Sequence, residues 1–139
     1  MQYRPKNRPE LSKAARPHYC ERMPQLISEP ARIPVPGGKI INEHVGLLST
    51  GTLAVSVAHM IAPANWGEPF QTPEFDEVTL VLKGTVIVEH KDGPTTAHAG
   101  QSILTGAGER VRYSCGPDGA EYVAVCLPAF APDTVNREA

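Results

Sequence analysis

The sequence carries no excess of positive charge: 13 lysines and arginines against 15 aspartates and glutamates leave a formal net charge of -2. Nucleic acid and anionic membranes are therefore not expected as partners, because no basic field exists to attract them. Cysteine is scarce. Its 3 copies, Cys20, Cys115 and Cys126, are an odd number without a C-x-x-C spacing, which offers neither a zinc site nor a disulfide framework and favours a reducing, cytoplasmic setting. No window reaches the roughly 18 apolar residues of a membrane span, and no apolar run follows the charged residues near Met1. Nucleophile elbows, phosphate loops and dinucleotide fingerprints are missing too, since Gly106-Ala107-Gly108 lacks the strand-to-helix context that phosphate binding needs.

Room for a long helix is also lacking. Pro5, Pro9, Pro17, Pro24, Pro30, Pro34 and Pro36 punctuate residues 1–38, where at most one helical turn at 11–15 could survive. This stretch reads as an irregular arm laid along the domain or along a second subunit, or as a disordered tail. After Gly37-Gly38 the texture changes to short β-branched runs separated by Gly, Pro, Asn and Asp at intervals of roughly ten residues, an all-β barrel or sandwich pattern. Strands are expected over 39–48, 52–61, 76–82, 85–90, 95–97, 102–105, 110–114 and 121–127, with turns at Lys83-Gly84, Asp92-Gly93 and Gly116 to Gly119. The chain divides into the arm 1–38, a barrel domain 39–130 and a tail 131–139.

The densest acidic cluster lies in Gln71-Thr72-Pro73-Glu74-Phe75-Asp76-Glu77, which runs into the strand Val78 to Leu82 and is closed by Gly84. The spacing from Glu77 through six residues to Gly84, then Gly100, five residues and Gly106-Ala107-Gly108, resembles the two motifs of the cupin superfamily across residues 40–128. The resemblance implies a jelly-roll barrel with a pocket inside it, and it puts Glu77 at the family's metal-binding glutamate. The family's first two histidines fall on Gln71 and Pro73, or on Phe70 and Thr72; its third falls on Val111, and Cys115 stands where an asparagine follows. Three of the four usual ligands are thus absent, too few donors for a transition metal. No metal and no cofactor are expected, although an unconventional site using His59 and Glu77 stays open. Asp76 to Gly84 with Thr85 to His90 is most similar to the ethanolamine-utilization Q-type cupins, which likewise lack the histidine cluster.

Residues two apart on a strand share a face, so an inward Glu77 brings Thr79 and Val81 with it, and Val111, Tyr113 and Cys115 form a second inward set. On the strand 52–61 the bulkier face, Leu53, Val55, Val57, His59 and Ile61, is taken as the inner one. The expected catalytic set is Glu77 as acid or base, His59 as its proton-shuttling partner and Tyr113 as hydrogen-bond donor to an oxyanion. Gln71, Glu74, Trp66, Thr79 and Val111 are the expected substrate-binding residues. Each has a plainer reading: Glu74 as a solvated loop residue, His59 as a core histidine, Tyr113 as barrel filling and Trp66 as a packing anchor. The function expected is metal-independent lyase, dehydratase or isomerase chemistry on a small oxygenated compound; the alternative is a non-catalytic binding or accessory protein. The opposite face, Val78, Leu80 and Leu82, is apolar, so either the facing is inverted or the N-terminal arm or a second subunit covers it, and the cupin resemblance implies the last, a homodimer.

Overall fold

A computed structural model describes residues 24–139, and among these every regular element is a strand. The elements are β1 (Ala31–Ile33), β2 (Ile40–Val45), β3 (Ser56–Ala62), β4 (Asp76–His90), β5 (Gly93–His98), β6 (Ser102–Thr105) and β7 (Arg112–Leu127). Neighbouring strands run antiparallel in the order β1-β2-β3-β7-β4-β5, with β6 also paired to β4. The helical turn expected at 11–15 and most of the arm lie outside the described residues. Residues 31–33, also assigned to the arm, form β1 and pair with β2. No helix among the described residues is long and apolar enough to cross a membrane.

The architecture follows from β4 and β7, which pair with each other from Asp76↔Leu127 to Glu89↔Arg112. The first half of β4 pairs on its other edge with β6 and the second half with β5, while the second half of β7 pairs with β3, all within one 7-stranded sheet. The β4-β7 register shifts between Val81 and Lys83 and between Gly84 and Val86. The sequence reads Lys83-Gly84 and Gly116 to Gly119 as turns that end strands. Instead the chain bends there and continues, because Gly84 and Gly119 take the positive φ of a bulge while the ladder resumes beyond it.

The apolar interior comprises Val81, Val86, Val88, Val111, Tyr113, Tyr122 and their neighbours. A smaller cluster packs Phe75 against Phe130, Cys126 and Val135, the two phenyl rings meeting edge to face at 5.8 Å. Residues 131–139, which the sequence sets apart as a tail, return to the barrel: Glu138 donates its backbone N–H to Phe70, and its carboxylate takes a fork of two bonds from Arg110. Val135 is buried. The facing of β4 follows the alternation expected from the sequence, with Thr79 and Val81 fully enclosed and Leu80 and Leu82 exposed.

Candidate functional site

Between the concave face of the β2-β3-β7-β4 sheet and the loops over it lies a cavity of about 470 Å³. That is the size of a small-molecule site. Its floor is built by the period-two rule: Ser56, Ala58 and Met60 come from β3, Tyr122, Ala124 and Cys126 from β7, and Glu77 from β4. Gln71 and Trp66 reach it from the connection between β3 and β4, Lys39 sits just before β2, and Arg137 comes from the returning C-terminal segment.

Glu77 is half-buried on this wall. Thr79 donates to its Oε2 at 3.4 Å, and the Cys126 thiol points at its Oε1, also at 3.4 Å. The Tyr113 hydroxyl lies 2.8 Å from the Thr105 hydroxyl, which in turn reaches the Glu77 carbonyl at 3.4 Å. Burial first, and then the Glu77 charge beside it, hold the Tyr113 phenol far above the usual tyrosine range, so it stays a proton-bearing donor. Burial likewise pushes Tyr122 well up.

At the other end of the cavity the Lys39 ammonium lies 4.0 Å from the centre of the Trp66 ring and 5.2 Å from that of Tyr122. Burial pushes this amine below the usual lysine range, against the opposing pull of Glu68 and Glu77. Burial also raises Glu68, which Lys39 and Arg137 pull back down. Arg137 pairs with Glu68 at 3.4 Å and donates to the Gln71 side-chain oxygen at 3.4 Å. Glu43, although buried on the same face, is engaged elsewhere: its Oε2 accepts the backbone N–H groups of Leu48 and Ser49 at 3.0 and 2.7 Å.

The structure thus brings together Glu77, Tyr113, Gln71 and Trp66 from the expected set, and places the others elsewhere. His59 is turned to the opposite face of β3, where its ring bonds Glu121 at 2.8 Å. The facing expected for this strand is inverted, because Ala58 and Met60 occupy the concave side. His59→Ala should accordingly leave ligand affinity in the cavity unchanged within about twofold while removing a pair of the kind that contributes at most about 1 kcal/mol; calorimetric titration of the variant checks this. Glu74 is exposed and its carboxylate receives Asn136 Nδ2 at 3.4 Å. Thr79 is sealed in the core and touches the site only through Glu77, while Val111 is a core residue whose backbone exchanges two bonds with Gln71, both 2.9 Å.

Lys39, Glu68, Tyr122 and Arg137 are among the cavity residues that the sequence reading misses. Lys39 shares parity with Ile41 and Glu43, as Tyr122 does with Ala124 and Cys126, so alternation could have found these two. Glu68 and Arg137 stand in connections, where no periodic signal exists.

Among solved structures, oxalate decarboxylase of Bacillus subtilis superposes with a TM-score of 0.68 at 14% identity, over 80% of this chain and 30% of that one. The EutQ protein of Clostridium difficile superposes with a TM-score of 0.54 at 20% identity, over 66% of this chain and 65% of that one. Both share the arrangement of strands. The chain has the cupin fold. No family model matches it. By sequence it is 43% identical over 107 residues to the endoribonuclease YbeY of Myxococcus xanthus (strain DK1622), a match over 76% of this chain that spans about a third, 36%, of the longer relative.

Cupins commonly carry a transition metal, and the donors at the corresponding positions of this chain do not fit one. Glu77 is in place, Gln71 offers an amide, and Pro73 and Val111 have no donor in their side chains. No group of three or more His, Cys, Asp or Glu side chains that could hold an ion occurs among the described residues. What the cupin cavity does offer is a carboxylate and a phenol at one end, a lysine on two aromatic faces at the other, and an apolar wall between them.

Proposed function

We propose that this cupin-fold chain is an enzyme that moves protons on a small oxygenated compound, by lyase, dehydratase or isomerase chemistry that needs no metal. The observation that carries the reading is that Glu77 and Tyr113 line one open cavity. Glu77 takes a proton from the substrate and returns it, and Tyr113 donates a hydrogen bond to the oxygen on which negative charge develops. Gln71 and Trp66 orient the compound. Thr79 acts through Glu77, holding the carboxylate in place.

The alternative, a non-catalytic binding protein, would be favoured by a barrel filled with side chains; the open volume supports the catalytic reading. The likeness to EutQ, together with Asp76-Glu77 at the head of β4, supports kinship with the ethanolamine-utilization Q-type cupins. The ribonuclease activity named for the Myxococcus protein belongs to a chain of which this one matches about a third. It is not assigned to this chain, because the described lining of the cavity carries two cations, Lys39 and Arg137, the second paired with Glu68, which is too little positive charge for a phosphate backbone.

The test is a screen of small oxo and hydroxy compounds in deuterium oxide, read by nuclear magnetic resonance, with protein dialysed against EDTA. Incorporation of deuterium at a carbon next to a carbonyl, at a rate and melting temperature unchanged by the chelator, is expected. A stoichiometric metal whose removal lowers either one would overturn the metal-independent chemistry.

A further inference from the structure

Lys39 presents a positive group without an ionic partner among the described residues. Its ammonium rests on the Trp66 and Tyr122 rings, whose negative faces favour a cation. No carboxylate among the described residues comes within 4.0 Å of it, whereas Arg137, the other cation of the cavity, is paired with Glu68. Glu68 and Glu77 both act on Lys39 electrostatically from beyond pairing distance, and burial works against its charge. A half-buried cation that lines an open cavity and is left short of a counter-ion favours an incoming anionic oxygen.

The rest of the cavity states what that oxygen must be attached to. Ile41, Met60, Ala124 and Phe130 give the lining shared with Lys39 and Glu77 its apolar part, while the polar Glu43 and Ser56 are engaged by backbone N–H groups of Leu48, Ser49 and Phe130. We propose that Lys39 is the anchor for a carboxylate on the cavity's ligand, which therefore belongs to the class of small carboxylic acids with an apolar body. The Trp66 and Tyr122 rings hold the ammonium in place, and Arg137 offers a second cation at the same wall. A ligand so held points its far end at Glu77. This deepens the proton-transfer reading by naming the substrate class, but it concerns binding and is measured without turnover.

Hexanoate and its neutral isostere hexanamide are the probes, titrated by calorimetry into the wild-type chain and into Lys39→Met and Lys39→Arg. Wild type should prefer hexanoate by about tenfold or more, the worth of one charge-assisted hydrogen bond. Lys39→Met should bring the two probes within about twofold of each other by lowering hexanoate affinity far more than hexanamide affinity, and Lys39→Arg should keep most of the preference. A cooperative thermal melt certifies that the methionine variant is folded. Equal affinity of wild type for both probes, a preference that survives Lys39→Met, or no binding of either probe at millimolar concentration would each overturn the proposal. The proton-transfer reading fails separately, in the deuterium screen.

Discussion

Replacing Gly84 with alanine is expected to destabilise the protein by about 3 kcal/mol or more, a large fraction of the stability of a domain this size. Two costs add. Gly84 has a φ of +74°, which a side chain disfavours, and a Cβ built on it would stand 2.1 Å from the Gly119 carbonyl oxygen of the facing strand. That oxygen belongs to backbone and cannot swing aside. Gly119 is itself confined, since its own Cβ would meet the Ala62 carbonyl at 2.6 Å. The bend shared by β4 and β7 therefore has no slack on either side. Thermal melts should place Gly84→Ala at least about 10 °C below wild type. Gly93→Ala is the control: its φ is +103°, but nothing lies within 4 Å of the added carbon, so only the backbone cost of about 1 kcal/mol applies. Equal melting temperatures for the two variants would disprove the steric account.

Glu77→Gln carries the largest expected effect on activity. The amide keeps the shape and the contacts near Thr79 and Cys126 but cannot accept and return a proton, so exchange of substrate hydrogen should fall by about 10²- to 10⁴-fold. Stability should change little, because the side chain is half-buried and the replacement is isosteric. A variant that exchanges at the wild-type rate would reject Glu77 as acid or base. A variant that melts well below wild type would make the carboxylate structural instead.

The strand facing of β4 and of the first half of β7 is legible in the sequence, because inward Glu77, Thr79, Val81 and inward Val111, Tyr113, Cys115 obey a simple alternation that two motifs hold in register. On β3 the same rule misleads. Both of its faces are largely apolar, and the bulkier one is the natural choice for an interior. A barrel that keeps an open cavity does the reverse, putting short Ser56 and Ala58 on the concave side and sending Val57, His59 and Ile61 outward. The bends at Gly84 and Gly119 look like turns for a related reason: glycine marks positive φ, but whether the ladder stops or continues depends on the partner strand. Arg137 lies 66 residues from Gln71, to which it bonds, and only tertiary structure joins them.

The small residues of the concave floor have a further consequence. Ala58 faces Ala124 across the ladder, and Ala124 in turn faces Thr79. Neighbouring strands are about 4.8 Å apart, so β2 and β4, three strand spacings from each other, would be about 14 Å apart on a flat sheet. The curl of the sheet shortens this span, and the two alanines keep it clear. The lysine before β2 and the carboxylate on β4 are also offset along the strands, since Ile41 is level with Met60, Tyr122 and Val81, so a ligand that joins them lies diagonally over the sheet and its length is set by that diagonal. A methyl group enlarged at either alanine would shorten the longest acceptable ligand and leave the chemistry at both ends untouched.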